Sequence, residues 1–116
     1  MKAQKRALIY VGWTVSSDGA AVEAAVRKAY ELCAEEDWKF VRIRDEQVAN
    51  EESPRPVLQQ LIEETHADSF DVLLIATSAQ EMMHHMVQVM KYAPLERKVA
   101  YFWVSELVVS SIGYVA

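Results

Sequence analysis

The sequence predicts an α/β fold of three layers: a mostly parallel sheet of four or five strands with helices on both faces. Two observations carry this. Continuous apolar, β-prone runs alternate with stretches of helical period in the order β-α-β-α-β-α-β, with a candidate fifth strand at the end, and that alternation favours a parallel sheet covered on both sides. At 116 residues, 52% of them apolar, the chain reads as a single domain over 1–116 with a core that needs neither disulfides nor a structural metal. Only three Gly and three Pro occur, which excludes a collagen-like, linker-rich or disordered chain.

Ala7-Leu-Ile-Tyr-Val-Gly-Trp13 is almost wholly apolar, as a strand buried on both faces should be. Ser16-Ser17-Asp18-Gly19 breaks it, and each of its three polar side chains suits a helix N-cap. Val22, Ala25, Val26, Ala29 and Cys33 then recur at three- and four-residue spacing, predicting an amphipathic helix from Ala20 to about Glu36. Trp38–Ile43 alternates and reads as strand two. Asp45–Pro56 is polar and acidic and reads as a loop of about a dozen residues, a length associated with function. Pro56 suits a first helical turn, followed by the stripe Val57, Leu58, Leu61, Ile62, Thr65. Asp71–Thr77 is the clearest buried strand. A helix is expected over Ala79–Tyr92, stopped by Pro94, then a strand over Lys98–Val104 and a β-leaning segment over Leu107–Ala116 around Gly113. Ligands of such sheets sit beyond the carboxyl ends of the strands, here Thr14–Asp18, Asp45–Pro56, Thr77–Glu81 and Ser105–Glu106.

Charge and composition narrow the function classes. The longest apolar run, Val99–Val104, falls far short of the roughly 20 residues that span a bilayer. Met1–Arg6 is basic but lacks a small-residue cleavage site, so no secretory signal is expected, and the lone Cys33 suits a reducing cytoplasmic setting. Seventeen acidic against twelve basic residues weigh against tight nucleic-acid binding by this domain alone. Gly12, Gly19 and Gly113 lie far apart, so no glycine-rich phosphate loop forms.

Read in order, the chain resembles the catalytic domain of the serine site-specific recombinases, the resolvase/invertase family, from about Arg6 to Val104. Ala7-Leu-Ile-Tyr-Val11 leading to Thr14-Val-Ser-Ser-Asp18 is similar to that family's first strand and serine turn. Asp45-Glu46 and Pro54-Arg-Pro-Val-Leu-Gln-Gln-Leu61 resemble its Asp-Glu and the Asp-Arg-Pro-Gly-Leu that opens its next helix. Phe70-Asp-Val-Leu-Leu-Ile75 matches its central strand. The resemblance implies a serine hydroxyl attacking a DNA phosphodiester to leave a phosphoserine link, in dimers and tetramers with a separate DNA-binding segment. Ser16 aligns best with the nucleophile and Ser17 lies one register away; Arg55 falls on a family arginine. The remaining positions depart: the family's Asp falls on Ala79, and three arginines fall on Thr14, Gln80 and Met83. Phosphoryl transfer needs several fixed cations around its transition state, so these substitutions predict a domain inactive in strand exchange.

Each candidate also has a plainer reading. Ser16 and Ser17 read first as helix caps. Arg55 is either a solvated or locally paired arginine or a phosphate-binding remnant. Asp45, Glu46, Glu51 and Glu52 read as an exposed acidic loop before a cation site. In Glu81-Met-Met-His-His-Met86, His84 and His85 point about 100° apart on a helix, and His66 would have to join from another element; no metal or cofactor is expected. Met82, Met86 and Met90 read as core or interface packing. Cys33 reads as an inert buried thiol, and Trp13, Trp38 and Trp103 as core. Two function classes follow: a catalytically degenerate resolvase-like interaction or regulatory module, homo-oligomeric or bound to another protein, against an active or once-active strand-exchange domain. A third is a small-ligand-binding α/β module using the Thr14–Asp18 and Asp45–Pro56 loops.

Overall fold

The computed structural model describes residues 4–64, 70–92 and 99–112. Its elements are β1 (Arg6–Thr14), α1 (Gly19–Glu35), β2 (Lys39–Val48), α2 (Pro56–Glu64), β3 (Val72–Ala76), α3 (Met82–Tyr92), β4 (Ala100–Val104) and β5 (Val109–Ile112). The sheet order is β2-β1-β3-β4-β5, with β1 to β4 parallel and β5 antiparallel to β4. The architecture is three-layer α/β, as the alternation of apolar runs and helical periods predicts.

The layers follow from strand pleat and crossover hand. Ala7, Ile9 and Val11 of β1 face α1 through Val22, Ala25, Ala29 and Cys33, while Leu8 and Tyr10 face α2 and α3 through Leu58, Leu61, Met82 and Val89. The order in which the chain crosses the sheet reverses after β2: β1 to β2 steps one way, β2 to β3 and β3 to β4 the other. A right-handed crossover then requires α1 on one face and α2 and α3 on the opposite one, as observed. The reversal creates a switch point between the carboxyl ends of β1 and β3, the place where open α/β sheets bind ligands.

Several boundaries differ from the expectation. Strand two runs on through Val48, because Asp45–Val48 pairs with Val11–Thr14 of β1, so the acidic loop shrinks to 49–55. As an edge strand β2 is exposed along most of its length, with Phe40, Val41 and Ile43 open to solvent. The α3 helix starts at Met82 rather than Ala79, because Ser78–Glu81 forms a turn closed by the Glu81 N–H on the Ser78 carbonyl (3.0 Å). The fifth strand exists, while Thr65, His66, Pro94, Lys98 and 113–116 lie outside the described residues. Trp103 is fully buried, whereas Trp13 and Trp38 are half-buried at the α1 side of the sheet.

Two ties close the structure away from the switch point. Asp37 takes a left-handed φ of 56° after α1, which lets the Trp38 N–H reach the Cys33 carbonyl (2.9 Å). Asp71 accepts from the Arg6 backbone N–H (2.8 Å) and guanidinium (3.2 Å); burial opposes ionisation of its carboxyl, but the Arg6 bonds outweigh it and hold the group below the ordinary carboxylate range.

The fully buried Ala25 sets how closely α1 approaches the sheet. Ala25→Leu should lower stability by about 1–3 kcal/mol in urea unfolding through overpacking, and Ala24→Leu, half-exposed on the same helix, should cost much less.

Candidate functional site

The switch point is built from the face that carries α2 and α3. β1 contributes Tyr10, Gly12 and Thr14 at alternate positions of the pleat; β2 contributes Glu46, the residue before α2 contributes Arg55, the β3–α3 turn contributes Ser78 and Glu81, and the first turn of α3 contributes His85.

Two carboxylates organise it. Glu46 is buried rather than part of an exposed acidic loop: its Oε1 accepts from the Tyr10 hydroxyl (2.7 Å) and the Leu58 N–H (3.3 Å), and its Oε2 from the Val57 N–H (2.9 Å). It therefore caps α2 from a neighbouring strand, because Arg55 at the N-cap has no acceptor to offer. Glu81 binds the hydroxyls of Ser17 and Ser78 (the latter at 2.9 Å) through Oε1 and leaves its buried Oε2 without a partner.

The serines take unequal places. Asp18, not Ser16 or Ser17, caps α1, accepting from Ala20 N–H (3.0 Å) and Ala21 N–H (3.4 Å). Ser17 is half-buried, accepts from the Thr14 N–H (2.8 Å) and donates to Glu81. Ser16 is exposed, 3.1 Å from the Thr14 hydroxyl. Of the positions departing from the family pattern, Thr14 is buried in this cluster and Gln80 and Met83 are exposed.

Arg55 corrects the solvated reading. It is 4% exposed, and its Nε, Nη1 and Nη2 are all buried without a hydrogen-bond partner. Its guanidinium lies near enough to the Tyr10 hydroxyl and to His85 to act on both. Burial first and the Glu46 bond second push the Tyr10 phenol far above its ordinary value, with Arg55 pulling the other way and losing. His85, fully buried with both ring nitrogens unpartnered, is pushed down to about 3 by burial first and by Arg55 second, so it is neutral. Gly12 is required here: a Cβ would stand 2.2 Å from His85 Cε1. An ionised group taken from water costs several kcal/mol unless it finds partners, so Arg55 is the most costly unmet demand of the cluster.

Other acidic and metal-type residues fall outside it. Asp45 accepts from the Trp13 indole (2.8 Å) beside a shallow apolar groove of about 470 Å3 between α1 and β2. Glu51 pairs with the exposed His84 at 2.8 Å, and Glu52 is exposed. His84 and His85 point apart, as helical geometry requires, and among the described residues no three His, Cys, Asp or Glu gather to hold a metal. Met82 is buried and Met86 half-buried, but Met90 is exposed. Cys33 is buried, and desolvation raises its thiol.

Sequence reasoning gave Tyr10 no role at the site, and it read Glu46 as part of an exposed acidic loop and His85 only against a metal cluster, whereas both are buried at the switch point. Two signals were present: a helix opening at Pro56 with an arginine at its N-cap needs a cap from elsewhere, and a glycine inside an apolar strand marks close approach.

His85 makes stability pH-dependent. The unfolded chain takes up its proton near 6.5, whereas the folded chain refuses it down to about 3. Stability should therefore be full above pH 6.5 and fall as pH drops through that window, by up to about 1.4 kcal/mol per pH unit. His85→Leu should remove this part of the slope in urea unfolding followed from neutral to acidic pH; parallel curves for the two proteins would exclude a buried neutral His85.

No family model matches the chain, and no curated protein or solved structure matches it.

Proposed function

We propose that the chain is a resolvase/invertase-like domain, of the DNA site-specific recombination family, whose strand-exchange chemistry has lapsed and which acts as an interaction module through self-association. Support for the family reading is the order of its motifs: the Tyr10–Asp18 turn, Asp45-Glu46, Pro54-Arg55-Pro56 and Phe70–Ile75 follow one another as the family's do, and the first three meet at one end of the sheet.

Two contacts carry the inactive reading: Ser16 has the Thr14 hydroxyl at 3.1 Å where the family has an arginine, and Ser17 is hydrogen-bonded to Glu81. A phosphodiester attacked at the Ser17 hydroxyl would bring its negative oxygens against a carboxylate. Cations are what such a transition state requires, and the positions that would supply them hold Thr14, Gln80 and Met83, with Ala79 in place of the family's Asp. Losing one such electrostatic partner costs about 10²–10³ in rate. Arg55 does not compensate, since its nitrogens are shut off from solvent.

The module reading draws on α3. Met83, Val87 and Met90 stand at i, i+4 and i+7, so they form one stripe, and they are 67%, 60% and 61% exposed. Methionine-rich surfaces adapt to protein partners. The stripe reads Met-Val-Met in either direction, so two copies related by a twofold axis can set Met83 of one against Met90 of the other with the two Val87 side chains at the centre. A second copy of this chain is the occupant that fits.

Nicked suicide-substrate DNA should give no covalent adduct with the protein; an adduct that disappears in Ser16→Ala or Ser17→Ala would overturn the inactive reading. Light scattering should give twice the 13.2 kDa chain mass for the parent and a single chain for Val87→Glu, which places two carboxylates face to face. A parent that stays at one chain mass at the highest concentration reached would remove the self-association.

A further inference from the structure

Arg55 presents a demand that the described residues meet at most through the nearby Tyr10 hydroxyl. A guanidinium is always charged and carries five N–H donors, yet all three nitrogens of this one are buried and unpartnered. The nearby Glu46 has both oxygens committed, to Tyr10, Val57 and Leu58. His85 adds a neutral imidazole with both nitrogens unpartnered, and such a ring offers one donor and one acceptor. Beside them opens a cleft of about 280 Å3 between α2 and α3, walled by Arg55, Leu58 and Gln59 on one side and Val87, Gln88 and Lys91 on the other. That volume is just under the usual range for ligand sites, and its lining mixes apolar side chains with amide and basic groups and one carboxylate, Glu52.

We propose that this cleft binds a compact free molecule bearing an oxyanion, a carboxylate or a phosphate, whose charged group reaches the Arg55 guanidinium while its body rests on Leu58. The planar fork of arginine matches either oxyanion bidentately. The site differs from a DNA-backbone site in one respect that decides the ligand class: the guanidinium nitrogens are buried, so a duplex polyanion cannot reach them, whereas a small molecule entering the cleft that Arg55 lines can. Glu52, Ser53 and Pro54 form a further wall of the cleft. The neighbouring Glu51 ties it to His84 of α3 at 2.8 Å, by a pair exposed on both sides, and exposed pairs hold weakly. The proposal is independent of whether strand exchange is lost.

The test is thermal unfolding of the full chain titrated with inorganic phosphate and, separately, with benzoate, each against sodium chloride at equal ionic strength. Arginine side-chain 1H–15N spectra follow the same titrations. Either anion should raise Tm saturably, on the order of 10 °C at about a hundredfold excess over Kd, and should move the Arg55 Nε resonance; which anion acts identifies the group carried by the ligand. Gln59→Trp, at an exposed wall position of the cleft, should keep the fold and block both responses, and Arg55→Met should abolish them. The proposal is overturned if neither anion exceeds chloride, if Gln59→Trp responds like the parent, or if duplex DNA shifts the Arg55 resonance. Should Arg55→Met fail to fold, Gln59→Trp and the spectra decide alone.

Discussion

The reach of Glu46 from β2 to the first turn of α2 is the interaction on which the rest of the switch point depends. One carboxylate takes two backbone N–H groups of a helix that has no cap of its own, and also takes the hydroxyl of Tyr10 from the central strand. A carboxylate at a helix N-terminus gains from both the orphan donors and the helix dipole. Here it gains them while buried, so the three elements are fixed relative to one another rather than merely packed. The position of Arg55 follows. It is the residue that hands the chain from the 49–55 loop into α2, and once α2 is anchored on Glu46 its side chain is carried inside the fold.

Charge inside this region is divided between two places. Glu81 gathers hydroxyls, from Ser17 and Ser78, around a negative group; Arg55 sits with Tyr10 and a neutral His85 around a positive one. Hydroxyls can serve an anion with hydrogen bonds at little cost, and two of them serve Glu81 Oε1, while its Oε2 stays unpartnered. The Arg55 half is less well served, because Tyr10 is a phenol held in its protonated form, His85 is an uncharged imidazole, and the nearby Glu46 has both oxygens committed to Tyr10 and the first turn of α2. The serines, which the sequence marks as the chemical candidates, thus lie in the half whose hydroxyls are bonded, and the arginine in the half whose nitrogens are not.

The sheet was legible in the sequence because its strands are buried on both faces: Ala7–Val11 and Val72–Ala76 are continuous apolar runs, and their burial is complete or nearly so. The edge strand was legible only as far as Ile43, since Asp45-Glu46-Gln47 carries no apolar alternation and is held in the sheet by pairing with β1. Local pattern cannot report that kind of pairing. The start of α3 was placed three residues early for a related reason: Ala79-Gln80-Glu81 has good helix propensity, but Ser78 and Glu81 spend their hydrogen bonds on a turn that binds Ser17. Arg55 was legible as a residue of interest and not as a buried one. Its burial results from α2 docking on Glu46, a contact across eleven residues that no helical or strand period encodes.

The buried polar groups at this end of the sheet are too many to be explained as support for the fold. An apolar set of the same shape would hold α2 and α3 on β1 at lower cost, since breaking even against desolvation is the best a buried charge achieves without full partnership. Gly12 sharpens the point. A strand interior favours a branched side chain, and a glycine there gives up packing and backbone order; what it admits is the ring of His85, a second polar group with no partner. Three separate concessions to stability, at Gly12, Arg55 and His85, converge within one face of one strand end. Convergence of that kind is expected of a place organised for something other than holding the protein together.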